Sequence, residues 1–171
     1  MKICVAQTRP VSGDIQSNIN NHKKLISLAI AEGADTIIFP ELSLTGYEPG
    51  LSKELATDLS DSRFDDFQKI SDSGQITIGI GVPLKNSTDI CISMILFRPH
   101  KPRQTYFKNY LHADEEEFFI SGQNSSALIN NKPGIALAIC YELSVPEHSE
   151  KAFKSGEIGR ASCRERVCWI V

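Results

Sequence analysis

DTIIFPELSLTGY, the sequence of Asp35–Tyr47, places a short apolar run directly before a proline and a carboxylate. The β-branched and aromatic residues of Asp35–Phe39 predict a strand, and Pro40 ends it because proline cannot donate to a strand ladder. Glu41 then lies at the carboxyl end of that strand, where α/β sheets present their ligand-binding groups. The segment therefore predicts one strand of an α/β sheet with a candidate functional carboxylate at its end.

Apolar runs of two periodicities surround this segment. Alternating or continuous runs predict strands, and helical spacing predicts helices. The predicted strands are Lys2–Gln7, Asp35–Phe39, Gln75–Val82, Asp89–Phe97, Arg103–Phe107 and Gly134–Cys140, with PLKNST linking the third and fourth. The predicted helices are Asn18–Glu32, capped by Ser17, Asp61–Ser73 and Pro146–Lys154. This β-α-β-α-β-β order predicts an α/β layered fold.

The composition argues against several classes of protein. A net charge of −3 gives no electrostatic case for nucleic acid or an anionic membrane as a partner. No apolar run approaches the roughly 20 residues of a membrane helix, and MKICVAQTRP lacks the features of a signal peptide. The five cysteines are odd in number and form no CxxC pair, so neither a disulfide framework nor a metal site is predicted. Reduced thiols in a cytoplasm are the resulting expectation.

Two further patterns place reactive side chains at the ends of predicted strands. In YFKNYL, Tyr106–Leu111, Lys108 is placed to point a cation at developing negative charge. In ICYEL, Ile139–Leu143, Cys140 ends a buried strand, where a thiolate stabilised by a cation is a nucleophile. Taken singly, a solvated acid, a solvated lysine and a packed thiol are the more ordinary interpretations. Together, one sheet edge would gather the nucleophile, proton-transfer group and cation that amide hydrolysis needs.

The three motifs, in this order, resemble those of the nitrilase superfamily of carbon–nitrogen hydrolases. FPELSLTGY resembles the glutamate motif of that superfamily, YFKNYL its lysine motif and ICYEL its cysteine motif. The resemblance runs from Met1, with the KICVAQ strand, to about Gly156. It implies that Glu41 is the general base, Lys108 the oxyanion-stabilising cation and Cys140 the nucleophile that forms a thioester acyl-enzyme.

The resemblance also implies a set of supporting residues. The backbone N–H of Tyr141 would be a second oxyanion donor. The family has a second glutamate between the lysine and the cysteine, and Asp114–Gly122 resembles that region. Its acid–aromatic–glycine spacing favours Glu115 for this role, with Glu116 left open as the alternative.

The fold implied by the resemblance is an α-β-β-α sandwich, and the implied activity is hydrolysis of non-peptide carbon–nitrogen bonds without a cofactor. The expected substrate is the amide of a small metabolite, while nitrile, aliphatic amide, carbamoyl amine and glutamine stay open. Family domains continue well past the cysteine. Residues 1–156 are therefore expected to be the N-terminal part of such a domain, with an incomplete sandwich and no activity by itself. The full-length form is expected to be a homo-oligomer.

Residues 157–171, EIGRASCRERVCWIV, differ from the rest of the chain. They show neither a helical nor a strand period, and EIGRASCRERV resembles the translation of a sequencing-adapter oligonucleotide. We therefore expect a non-native tail that makes few long-range contacts, with Cys163 and Cys168 as accessible thiols. A natural basic C-terminal segment is the alternative.

Two other functions compete with amide hydrolysis. His112 and His148 suggest a Cys-His hydrolase, but the chain lacks the helix-borne cysteine context of papain-like proteases. A binding module or degenerate homologue on the same scaffold is the second alternative. The complete set of three reactive groups argues against it, and the incomplete length argues for it.

Overall fold

The computed structural model describes residues 1–122, 135–154, 159–163 and 168–170. Its helices are α1 (Ile15–Ala31), α2 (Ser52–Leu55), α3 (Asp65–Gly74) and α4 (Pro146–Lys154). Its strands are β1 (Ile3–Val5), β2 (Thr36–Ile38), β3 (Thr77–Asn86), β4 (Asp89–Phe97), β5 (Gln104–Phe107), β6 (Ile135–Leu137), β7 (Gly159–Cys163) and β8 (Cys168–Ile170). Short 3₁₀ turns cover Pro49–Leu51, Ser62–Phe64 and Cys140–Ser144.

The strands form two sheets. The five-stranded sheet has the order β1-β2-β3-β4-β5, in which β1, β2 and β3 are parallel while β4 and β5 are antiparallel to their neighbours. Parallel neighbours need a crossover connection, and α1 connects β1 to β2 while α3 precedes β3. In the second sheet, β6 is parallel to β7, and β7 is antiparallel to β8. The predicted order of strands and helices is confirmed from β1 to β5, except that the short helix α2 was not predicted.

Successive side chains of the five-stranded sheet point into two different cores. Ile37, Ile78 and Ile95 pack on one face against the buried side chains of α1 and α3. Ile38 and Met94 pack on the other face against the apolar side chains of β6. The layers are thus helices, sheet and sheet, and the predicted α/β layered fold is confirmed.

Most boundaries differ from the predictions by a few residues, and two of the differences have a clear physical reason. The side chain of Asp14 accepts the backbone N–H of Ser17 at 2.9 Å and its hydroxyl at 2.7 Å. The prediction of Ser17 as the cap of α1 is wrong, because the Asp14 carboxylate accepts both donors and Ser17 lies inside the first turn. Most of PLKNST belongs to β3 and not to a link, since β3 pairs with β4 as far as Asn86.

Part of the C-terminal segment is a pair of strands. β7 and β8 lie within residues 157–171, and β7 pairs with β6. The expectation that this segment carries no strand and makes few long-range contacts is therefore wrong. The edge of β6 offers N–H and C=O groups that pair with a neighbouring extended segment lacking proline. The non-native origin of the segment stays a prediction, and the side chains of Cys163 and Cys168 lie outside the described part.

His22 connects α1 to the loop that follows β2. Its side chain is 1% exposed and stacks on Phe39 with the ring centroids 4.0 Å apart. Its Nδ1 lies 2.7 Å from the carbonyl oxygen of Asn18, and its Nε2 lies 2.9 Å from the hydroxyl of Ser43. A neutral ring satisfies both contacts, because Nδ1–H donates to the carbonyl and Nε2 accepts from the hydroxyl.

Acidification below pH 6.5 is expected to destabilise the fold through His22. Burial lowers the pKa of His22 from 6.5 to about 4, so between these values only the unfolded chain binds the proton. This contribution to the free energy of unfolding is complete above pH 6.5 and falls by about 3 kcal/mol as the pH drops to 4. Urea unfolding at several pH values measures the loss. A His22→Gln variant lacks the titration, so an equal pH dependence in both proteins would contradict the assignment.

Candidate active site

Glu41 lies in a loop that crosses the face of the five-stranded sheet. The loop follows β2 and packs so closely on β3 that a Cβ atom at Gly81 would lie 2.1 Å from the carbonyl oxygen of Pro40. Leu42, with a left-handed φ of 51°, turns the chain there. The Leu44 N–H then donates to the Gly81 carbonyl at 3.2 Å. Gly81 therefore allows the loop to lie on the sheet and to bury Glu41, which is 4% exposed.

Lys108 follows β5 and is completely buried. Its Nζ donates to Oε1 of Glu41 at 2.7 Å and to both carboxylate oxygens of Glu115 at 2.7 Å. Its backbone is held on both sides, since its N–H donates to the Ile92 carbonyl and its own carbonyl accepts from Gly122. Lysine is rarely buried without partners, and here two carboxylates replace water around the ammonium group.

Cys140 completes the cluster. It follows β6 at the start of the 3₁₀ turn Cys140–Ser144, and its φ of 49° is left-handed. Its thiol forms a hydrogen bond with the Glu41 carboxylate. The residue is partly exposed, whereas Glu41 and Lys108 are buried. The structure therefore brings together the three reactive groups identified in the sequence, and Cys140 is the most exposed of these three residues.

The charges in the cluster act on one another. Burial raises the pKa of Glu41, and the positive charge of Lys108 offsets only part of this effect. For Lys108, burial lowers the pKa, but the charges and hydrogen bonds of Glu41 and Glu115 outweigh it and leave the pKa above its usual value. Lys108 is thus a stable cation, while the proton affinity of Glu41 is increased. That combination suits Glu41 to accept and return a proton.

The two candidates for a second glutamate occupy different environments. Glu115 is 1% exposed, and its carboxylate accepts hydrogen bonds from Nζ of Lys108 and from the backbone N–H of His112. Glu116 is exposed. Tyr141, at the position after the thiol, makes a T-shaped ring contact with His112 at 5.2 Å. These placements put Glu115 rather than Glu116 inside the cluster, and they put Tyr141 beside the thiol.

Gly81 and Glu142 were not identified from the sequence. A glycine inside a strand pattern is a signal for close backbone approach, and QITIGIGV contains that signal. Glu142 is completely buried and accepts the backbone N–H of Ile139 at 2.7 Å. The sequence ICYEL gives little indication that Glu142 is buried, because glutamate side chains are mostly exposed to solvent.

The described residues contain no group of three or more His, Cys, Asp or Glu side chains that could hold a metal ion. Among the helices in the described ranges, none is long and apolar enough to cross a membrane.

A layered α/β fold in which a carboxylate, an ammonium group and a thiol meet after three strands is the arrangement that the resemblance to nitrilase-like proteins implied. The chain belongs to the carbon–nitrogen hydrolase family, whose sequence profile matches residues 2–157. The resemblance found in the three motifs is therefore confirmed at the level of the family.

Curated relatives align with nearly the whole chain. One is a glutamine-dependent NAD(+) synthetase from Thermotoga maritima, 24% identical over 166 residues that cover 92% of this chain and 28% of the relative. Another is an (R)-stereoselective amidase from Pseudomonas sp., 22% identical over 157 residues that cover 91% of this chain and 57% of the relative. The chain thus spans well under two thirds of the length of either relative.

Solved structures share the fold. An amidase from Nesterenkonia sp. has a TM-score of 0.84 at 19% identity, over 96% of this chain and 75% of that one. A mutant of the Nesterenkonia sp. AN1 amidase in complex with butyramide has the same TM-score at 18% identity, over 96% and 76% of the two chains. That amidase belongs to the nitrilase superfamily. The predicted nitrilase-type fold is therefore confirmed.

Proposed function

We propose that the chain carries the catalytic centre of an amidase that hydrolyses small amides through a thioester on Cys140. One observation carries this proposal: the Glu41 carboxylate contacts both the Cys140 thiol and the Lys108 ammonium group within one cluster. These contacts supply a nucleophile, a proton acceptor and a cation in a single hydrogen-bonded set.

In the first half-reaction, Glu41 takes the thiol proton and the Cys140 sulfur attacks the amide carbonyl carbon. The Lys108 ammonium group and the backbone N–H of Tyr141 stabilise the developing oxyanion. Glu41 then gives the proton to the leaving nitrogen, the carbon–nitrogen bond breaks, and ammonia or an amine departs from the thioester. Glu115 keeps Lys108 oriented, because it accepts from Nζ with both oxygens.

In the second half-reaction, Glu41 removes a proton from water, and the hydroxide attacks the thioester carbonyl. The carbon–sulfur bond breaks, the acid product leaves, and the proton held by Glu41 returns to the sulfur. Burial, which raises the pKa of Glu41, suits both halves because the same group must take up a proton and give it back.

The relatives suggest two classes of amide substrate. The related amidase in complex with butyramide favours small aliphatic amides for this chain. The glutamine-dependent synthetase favours the side-chain amide of glutamine as the second candidate. We rank the aliphatic amide first, because amidases occur among both the curated relatives and the solved structures. A cytoplasmic location, which keeps the thiol reduced, and a homo-oligomeric full-length form belong to the same proposal.

The competing functions fit the cluster less well. His148 contacts the Tyr106 hydroxyl and His112 contacts Asp114, whereas the Cys140 thiol contacts Glu41. A Cys-His pair is therefore a weaker description of this site. A binding module would gain little from a buried lysine between two carboxylates, because burying such charges is costly.

Labelling with fluoroacetamide tests the proposal. A variant of the related amidase carries the acetamide moiety of this reagent on its active-site cysteine. The Cys140 sulfur bonds to the methylene carbon and fluoride leaves. We expect peptide mass spectrometry to show Cys140 labelled at least about 100-fold faster than Cys4, because only a held amide gains from proximity. Cys4 is a matched control, since it is also a partly exposed cysteine that forms no disulfide.

Protection against this labelling distinguishes the substrate classes. Butyramide should slow the labelling of Cys140 if aliphatic amides are the substrates, and glutamine should slow it if the second candidate is correct. Equal labelling of Cys140 and Cys4 would refute the proposed function.

A further inference from the structure

The Glu142 carboxylate is fully buried and surrounded by donors. It accepts the backbone N–H groups of Ile139, Asn109 and Tyr110 at 2.7, 2.6 and 3.3 Å. It also accepts the Tyr106 hydroxyl at 2.8 Å. A buried charge is costly unless it is hydrogen-bonded, and these donors offset part of the loss of water, although burial still leaves the pKa of Glu142 raised. The position is therefore suited to a carboxylate.

The backbone donors come from the two segments that hold the reacting groups. Ile139 immediately precedes Cys140, and Asn109 immediately follows Lys108. One carboxylate oxygen of Glu142 accepts a hydrogen bond from the backbone N–H of Ile139, and the other accepts one from the backbone N–H of Asn109. A single carboxylate thus joins the thiol segment to the lysine segment, so the separation of the two segments depends on one side chain.

The turn at Cys140 depends on the same residue. The Glu142 N–H donates to the Ile139 carbonyl at 3.1 Å, while the Glu142 side chain accepts the Ile139 N–H. These two hydrogen bonds close a turn around Cys140, whose left-handed φ of 49° is unfavourable for a residue with a side chain. The closed turn maintains that backbone conformation, in which the thiol contacts Glu41.

Tyr106 holds Glu142 from the other side. Its hydroxyl donates to the carboxylate and lies 2.9 Å from Nε2 of His148 in α4 and 3.2 Å from Nδ2 of Asn109. Tyr106 is itself completely buried in the core between the sheets. The carboxylate therefore cannot rotate without breaking contacts to both reacting segments.

We infer that Glu142 is a positioning residue, which holds the Cys140 thiol and the Lys108 ammonium group at the separation that an amide substrate requires. It acts through the backbone next to each group and does not touch the reacting atoms. This inference rests on the proposed function, because it assigns Glu142 a part in the chemistry of Cys140.

Replacing the carboxylate with an amide, Glu142→Gln, tests the inference. The four groups described above are all donors, and the NH₂ group of glutamine would oppose at least one of them. We expect labelling of Cys140 by fluoroacetamide to fall at least about tenfold, because the thiol and the lysine lose their fixed separation. Labelling by methyl methanethiosulfonate, which contains no amide and reacts with accessible thiols generally, should stay within about twofold of wild type. Peptide mass spectrometry measures both reactions at Cys140.

Ser71→Ala is the matched control for a loss of stability. Ser71 is fully buried in α3 and donates to the Ile76 carbonyl at 2.7 Å, so this variant also loses a buried hydrogen bond. It should be labelled by fluoroacetamide at the wild-type rate. Wild-type labelling of Glu142→Gln, or an equal loss in Ser71→Ala, would overturn the inference. If Glu142→Gln does not fold, Tyr106→Phe replaces it, and the rate of Cys140 labelling by fluoroacetamide is expected to fall about threefold. Labelling of Tyr106→Phe at the wild-type rate would also overturn the inference.

The proposed function fails in a different way. If wild-type Cys140 is not labelled by fluoroacetamide, the proposed function is wrong, and amide exchange then tests Glu142 by itself. NMR should show the N–H groups of Ile139 and Asn109 exchanging at least about tenfold faster in Glu142→Gln than in Ser71→Ala. Equal exchange in the two variants would overturn the inference.

Discussion

Cys140→Ala is expected to abolish acyl-enzyme formation and to lower kcat by a factor on the order of 10⁶, the scale on which a nucleophile is lost. The substitution removes the sulfur on which the proposed thioester forms. It leaves the contact between Glu41 and Lys108 in place, so the rest of the cluster should persist. Intact-mass spectrometry after rapid quenching with butyramide measures the adduct on the full-length form. Ammonia release measures the turnover of the full-length form.

Two other thiols provide the controls. Cys4 lies in β1, and Cys91 is buried in β4 opposite Leu84 of β3. Cys4→Ala and Cys91→Ala remove sulfur from these strands and not from the cluster, so turnover should be nearly unchanged. An acyl adduct on any other residue, or turnover that survives in Cys140→Ala, would be incompatible with the assignment.

The strands that carry the reactive groups were predictable because their signals are local. β2 and β6 lie within apolar runs that end at Pro40 and Cys140, and such runs are typical of buried strands. β5 ends in two aromatic residues directly before Lys108, and aromatic residues favour strands. The close approach of distant segments leaves a much weaker signal. Gly81 is required only because Pro40 crosses β3. Strand β7 was not predicted for a similar reason. Its own residues show no clear strand period, and its extended conformation depends on pairing with β6.

Burial of charge is the other part that the sequence could not supply. A lone lysine predicts a solvated side chain, and Lys108 is buried only because Glu41 and Glu115 arrive from two other segments. Glu115 and Glu116 are adjacent and chemically alike. The backbone N–H of His112 and the Lys108 ammonium group distinguish them, and both contacts depend on the folded turn.

Lys108→Met is expected to lower kcat by at least about 10²-fold and to destabilise the fold by about 3–5 kcal/mol. Methionine keeps an unbranched chain but lacks the ammonium group. Glu41 and Glu115 would then lie close together as buried carboxylates without their shared cation. Burial and, to a smaller extent, Glu115 already raise the pKa of Glu41, so the loss of Lys108 would favour its protonated form further. The proton acceptor and the oxyanion stabiliser would thus be impaired together.

A second substitution separates stability from catalysis. In the double variant Lys108→Met with Glu115→Gln, one carboxylate becomes neutral, so stability should return to within about 1–2 kcal/mol of wild type. Turnover should stay low, because the oxyanion still lacks its cation. Glu115→Gln alone is the control, since Lys108 keeps its hydrogen bond to Glu41 there. Chemical denaturation and ammonia release measure the two quantities on the same samples of the full-length form. Turnover that recovers together with stability would show that Lys108 serves only to neutralise two buried carboxylates.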